Sequence, residues 1–209
     1  MHDGILGRVE RYYSGRFAEH GATPEGVDWN SSESQEIRFE QLLRISGDEA
    51  SGFSINDYGC GYGALAEYMH RGGRKFTYRG YDLSSTMLEA AQERLGGADA
   101  SFVKDPSQLE PADYTVASGI FNVKLETERR VWTQYVLDTI AELERLSNKG
   151  FAFNMLTSYS DPEHMRPDLY YGEPGFFFDY CASTISREVA LLQDYGLYEF
   201  TILVRKAAD

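Results

Sequence analysis

The sequence predicts an α/β protein built on an open, mostly parallel sheet, and three observations predict it. Residues 54–58 form a short strand run that feeds directly into the glycine turn Gly59-Cys60-Gly61-Tyr62-Gly63. A helix-like run follows, with Leu65 and Met69 one turn apart on an apolar side. From Phe53 onward, strand and helix patterns alternate. Near the end, residues 188–193 and 198–204 are both strand-like, and only Asp194-Tyr195-Gly196-Leu197 separates them. So short a link cannot carry a parallel crossover, so the last two strands must be antiparallel.

The elements follow in order. Residues 1–52 read as an N-terminal extension with helical pieces at 8–18 and 34–45. In the second piece Ile37, Leu42, Leu43 and Ile45 share a side, and Ser32 or Ser34 can cap its start. Residues 53–209 read as the main domain. Strands are expected at 54–58, 76–82, 100–104, 114–118 and 150–156, and helices at 63–71, 84–95 and 126–147. The stretch 105–113 is too short for a full helix between the third and fourth strands.

Composition narrows the function classes. The 209 residues carry a net charge of −13, with 20 Lys and Arg against 33 Asp and Glu. No run of basic residues offers the clustered positive charge that nucleic acid requires, so a nucleic-acid substrate is not expected. Neither a signal-like h-region nor a stretch approaching 18 apolar residues occurs, so the expectation is a soluble cytoplasmic protein with no membrane partner. Cys60 and Cys181 are too few and too far apart for a disulfide framework or a zinc pattern. The oligomeric state is not legible, and a homodimer is one option.

Glycines at a strand-to-helix turn let a ligand approach the backbone, and the first-turn N–H groups point at it. Asp57, two residues before Gly59, decides between ligands. A carboxylate there repels a pyrophosphate but suits an ammonium or a sulfonium. The stretch Asp57-Tyr58-Gly59-Cys60-Gly61-Tyr62-Gly63 resembles the first motif, D/E-x-G-x-G-x-G, of the class I S-adenosylmethionine-dependent methyltransferases. The resemblance runs from about residue 27 to the end. It implies a Rossmann-like sheet of about seven strands with helices on both faces and the extension as a lid. It also implies S-adenosylmethionine as cofactor and S-adenosylhomocysteine as product.

Further cofactor residues are expected on that basis. Asp82 ends the second strand about twenty residues after the glycines, the spacing of a carboxylate that holds ribose hydroxyls. Leu83 and Met87 are placed to press on adenine. Asp105, at the end of the third strand, matches the family's acceptor for the adenine amino group. Ser118 and Gly119 end the fourth strand, where a backbone edge can lie near the sulfonium, and Phe121 can wall the pocket. This segment departs from the Asn/Asp-Pro-Pro-Tyr/Phe motif of enzymes acting on planar amino groups. Trp29, Asn30, Gln35 and Arg38 resemble residues preceding the first motif in cyclopropane fatty-acid synthases. By that likeness Arg38 pairs with the methionine carboxylate, Gln35 hydrogen-bonds it, and Trp29 and Asn30 close over the cofactor.

Methyl transfer needs alignment and exclusion of water, and a base only where the acceptor must lose a proton. The acceptor side is expected in the Tyr- and Pro-rich run 154–171. His164 is the leading base by residue type, ahead of His20, and Tyr159 and Asn154 can orient a substrate. No metal site is expected, because Pro162 and Pro167 break any helical spacing among Asp161, Glu163, His164 and Asp168. The reading is methyl transfer to oxygen or nitrogen of a small molecule. Alternatives are a protein methyltransferase, a cofactor-binding subunit without catalysis, and a nicotinamide oxidoreductase.

Overall fold

A computed structural model describes residues 3–47, 49, 51–97 and 99–207. Seven strands form one sheet: β1 (Phe53–Tyr58), β2 (Phe76–Tyr81), β3 (Ala100–Val103), β4 (Ala112–Ala117), β5 (Ser147–Leu156), β6 (Glu188–Leu192) and β7 (Glu199–Arg205). Their spatial order is β3-β2-β1-β4-β5-β7-β6. The first five pair in parallel, whereas β7 lies antiparallel between β5 and β6. The chain therefore runs outward from β1 to β3, returns to β4 on the other side, and leaves a switch point beside β1. Ligands of open α/β sheets bind at such a crevice, outside the carboxyl ends of the strands.

Among the described residues, six α-helices accompany the sheet: α1 (Asp3–His20), α2 (Ser32–Leu43), α3 (Ala64–Arg71), α4 (Ser85–Leu95), α5 (Arg129–Arg145) and α6 (Pro174–Thr184). Alternation along the strands separates two cores. On one face Phe151, Phe153, Ile202 and Val204 meet Trp132, Val136, Ile140 and Leu143 of α5 and Phe177 of α6. On the other, Ile55, Tyr78, Val116, Ala152 and Leu203 meet Leu42 and Leu43 of α2 and Leu65 and Met69 of α3. Thus α2 belongs to the sheet's helical layer, capped at its start by Ser31, whose hydroxyl accepts from Ser34 N.

The rest of the extension, α1 and a short 3₁₀ turn at Pro24–Val27, forms a cover. Arg8 donates to Thr127 Oγ1 at 3.0 Å, and the hydroxyls of Ser14 and Ser84 lie 2.9 Å apart, so α1 is tied on both sides of the switch point. Helix α6 falls between the 154–171 run and the terminal hairpin, where the sequence analysis assigned no element. No helix among the described residues is long and apolar enough to cross a membrane.

Candidate active site

The glycine turn takes its shape from three left-handed residues, Gly59, Gly61 and Gly63, with φ of 90°, 54° and 83°. A Cβ on Gly59 would come within 2.2 Å of Ile120, and one on Gly63 within 2.7 Å of Leu95, so larger residues are excluded by space as well as by torsion. The turn hangs on β2: Gly59 N and Cys60 N both donate to the Tyr81 carbonyl, and Gly61 N donates to Asp82 Oδ2 at 2.9 Å. The other Asp82 oxygen accepts from Ser84 N at 2.8 Å. Burial raises the Asp82 carboxyl above its ordinary value, against the pull of these N–H donors.

Asp57 is only 3% exposed and accepts from the Tyr78 hydroxyl at 2.6 Å. Burial is the main cause of its raised value of about 7; the Tyr78 bond opposes the shift and the nearby Asp82 charge adds to it. Cys60 is buried, and its thiol is raised well above 9.0 by desolvation, so it is protonated packing rather than a nucleophile.

A cavity of about 250 Å³ opens above this turn. Its walls bring together Asp57, Gly59, Cys60, Gly61, Asp82, Leu83, Met87, Ser118, Gly119, Trp29 and Gln35 from the expected set. Gln35 accepts from the Tyr62 hydroxyl at 3.3 Å, which joins α2 to the glycine turn. Gly119 has φ 72°, and its N–H donates to the buried Asn154 side chain at 2.7 Å, so Asn154 shapes the β4 end rather than facing an acceptor. Five carboxylates line the cavity, from Glu10, Asp57, Asp82, Asp138 and Glu142, and no Lys, Arg or His among the described residues does. This set of acceptors fits a ligand with cationic groups and opposes a pyrophosphate.

A second cavity of about 400 Å³ adjoins the first, and Tyr13, Val27 and Trp29 belong to the walls of both. Asn30, Arg38, His164, Arg166, Tyr171, Tyr198 and Glu199 also line it.

Several expected placements are corrected. The Arg38 guanidinium is not open to a cofactor carboxylate; Glu199 already neutralises it in a buried, two-pronged pair. Asn30 borders the second cavity, not the first. Asp105 is exposed, caps a short 3₁₀ turn through Ser107 N, and is absent from both cavity walls; hydrogen bonding from the Ser107 side chain, and then from its backbone N–H, lowers its carboxyl value. Phe121 is fully buried against Phe153, with its carbonyl bound to Trp132 Nε1, so it is core rather than pocket wall. Tyr159 is 72% exposed and lies on neither cavity. His164 does border the second cavity, from an exposed position beside Tyr198. The prolines do not separate the neighbouring acids as expected: a 3₁₀ turn brings the ligand atoms of Asp161, Glu163 and His164 within 4.8 Å of one another at the surface.

Leu6, Val9, Glu10 and Tyr13 of α1, and Tyr135, Asp138, Thr139 and Glu142 of α5, also line the first cavity, and no sequence motif marks them. Tyr58 and Tyr81 were read only as strand residues; their rings lie 4.7 Å apart and form part of its wall.

A methyltransferase-domain family model matches residues 55–150, the stretch from β1 to the start of β5. A Mycobacterium tuberculosis protein described as a methyltransferase is 52% identical over 160 residues, covering 76% of this chain and 96% of its own length. The chain belongs to the class I S-adenosylmethionine-dependent methyltransferases. S-adenosylmethionine is the cofactor of that family. A malonyl-[acyl-carrier protein] O-methyltransferase of Pectobacterium atrosepticum is 31% identical over 120 residues, but these cover only 54% of this chain and 44% of that one. Among solved structures, the magnesium protoporphyrin IX methyltransferase of Synechocystis with bound S-adenosylhomocysteine shares the methyltransferase's fold. Its TM-score is 0.63 at 13% identity, over 97% of this chain and 98% of that one. Human N-acetylserotonin methyltransferase aligns over 100% of this chain and 60% of its own, with a TM-score of 0.61 at 16% identity.

Proposed function

We propose that this methyltransferase holds S-adenosylmethionine in the first cavity and transfers its methyl group to an oxygen or nitrogen of a small molecule in the second. The observation that carries the reading is the pairing of the two spaces. A carboxylate-lined cavity at the switch point adjoins a larger one walled by Tyr13, Trp29, Tyr171 and Tyr198, and both lie beneath the N-terminal cover. Aromatic walls with a few polar groups suit a compact acceptor better than a peptide or a nucleic acid, and the net charge of −13 also opposes the latter.

The roles follow from chemistry. Asp57 accepts from the amino group of the methionine moiety, Asp82 from the ribose hydroxyls, and Leu83 and Met87 pack on adenine. Gly59, Gly61, Ser118 and Gly119 bring bare backbone to the ligand, and Gln35 adds an amide where Arg38 has no free charge. Bound there, the cofactor supplies an electrophilic methyl group on positively charged sulfur. The cover keeps water out, and the tyrosine walls align the acceptor for in-line displacement. Where the acceptor carries a proton, His164 at the rim takes it.

The test is transfer of radiolabelled methyl from S-adenosylmethionine to a panel of phenols, hydroxylated ring compounds, amines and carboxylates, with unstructured peptides alongside. Label on a small molecule supports the assignment. Label on peptides alone replaces it with protein methylation.

A further inference from the structure

The wall between the two cavities is made by the extension, and its largest member, Trp29, is held from two sides. One edge of the indole rests on Gly119, where a Cβ would stand 2.3 Å from the ring. The Arg38 guanidinium lies over the ring, 3.9 Å from its centre. Arg38 has no freedom to choose that place. Its Nε reaches both Glu199 oxygens at 2.9 Å, its Nη2 reaches one at 2.7 Å, and its Nη1 donates to the Ser34 carbonyl at 2.6 Å. Side-chain exposure is 8% for Arg38 and 1% for Glu199, and both border the second cavity.

A buried ion pair is weak evidence for stabilisation, because desolvation offsets its attraction. What a two-pronged carboxylate does supply is a fixed plane and direction for the guanidinium. Here that plane is the surface on which the indole lies. Glu199 enters from the first residue of β7, so the sheet is the reference on which the cover is placed.

We propose that Glu199 is a positioning residue of the methyl-transfer site: through Arg38 it holds the Trp29 indole as the wall between donor and acceptor. The inference rests on assigning the first cavity to S-adenosylmethionine. A tie serving only to join α2 to β7 needs the two charges but not the flat guanidinium, and that difference can be measured.

The chain has two tryptophans, and Trp132 is fully buried, so acrylamide quenching of fluorescence reports Trp29. Two variants are compared with the wild type, with and without S-adenosylhomocysteine. Glu199→Gln removes the carboxylate, and Arg38→Lys keeps both charges while removing the planar face. In each, the quenching constant is expected to rise at least about twofold and S-adenosylhomocysteine to bind about tenfold more weakly. The Arg38→Lys protein should melt near the wild type. A folded Arg38→Lys protein with wild-type quenching and affinity would overturn the proposal, and this variant decides if Glu199→Gln does not fold. Failure of the wild type to bind S-adenosylhomocysteine would instead sink the cofactor assignment, while the ligand-free quenching comparison still judges the clamp.

Discussion

Replacing Asp57 by asparagine separates the stability of this fold from its function. The Asp57 carboxyl has a value of about 7 in the folded protein, chiefly because it is buried. In the unfolded chain an aspartate titrates near 3.9. Between these values the native state holds a proton that the unfolded chain has released. The wild type therefore has its full stability from this group below about pH 4, and loses it as pH rises toward 7. A difference of about three units corresponds to about 4 kcal/mol at pH 8. The asparagine side chain does not titrate, and its amide oxygen can still accept from Tyr78, so the Asp57→Asn variant avoids most of that loss. At about 2–4 °C per kcal/mol for a chain of this size, its melting temperature should exceed the wild type's by about 8–16 °C at pH 8. The gain should shrink to nothing near pH 4. S-adenosylhomocysteine affinity should fall at least about tenfold at pH 8, since a charged hydrogen bond to the ammonium is lost. Thermal unfolding from pH 4 to 8, with calorimetry at pH 8, measures both. A variant that is less stable at pH 8, or a stability difference that does not vary with pH, would refute the reasoning.

Other perturbations are more local. Wild-type affinity for S-adenosylhomocysteine should fall about 30-fold from pH 8 to pH 5.5 as Asp57 takes up its proton, with little change above pH 8; a flat calorimetric profile would contradict this. Asp82→Ala should weaken binding about 100-fold, because it removes the ribose partner and also leaves Gly61 N and Ser84 N without their acceptor. Gly119→Ala should weaken binding at least about tenfold and lower the melting temperature, since its Cβ collides with the Trp29 ring at a φ of 72°; wild-type affinity in that variant would count against a closed cover. Tyr159→Ala should leave turnover and affinity within about twofold of wild type, given 72% exposure away from both cavities.

The parallel half of the sheet was legible because each strand run carries its own turn chemistry, and the terminal hairpin because four residues permit only one geometry. Helix α6 was not. Pro174-Gly175 looks like loop punctuation, and the unbroken run Phe176-Phe177-Phe178 hides a helical period, although only Phe177 of the three is fully buried. The carboxylates near the glycine turn were found because a local motif contains them. Contacts that depend on distant segments were not legible: Arg38 was assigned to a ligand because nothing in the neighbouring sequence points to Glu199, 161 residues away. Phe121 was misplaced for a similar reason, since its burial depends on how the segment after β4 folds back toward Trp132. In α1 the mean pattern is too polar to reveal that Leu6, Val9 and Tyr13 line a cavity.

The proposed methyl transfer depends on the carboxylate-lined cavity beside β1 and β4 binding a cationic nucleoside cofactor. Calorimetric titration of the wild-type protein at pH 8 with S-adenosylmethionine, S-adenosylhomocysteine and NADH, each in turn, tests it most directly. One site per chain is expected for the first two ligands, and no heat from NADH. Binding of NADH without binding of either sulfur compound would contradict it.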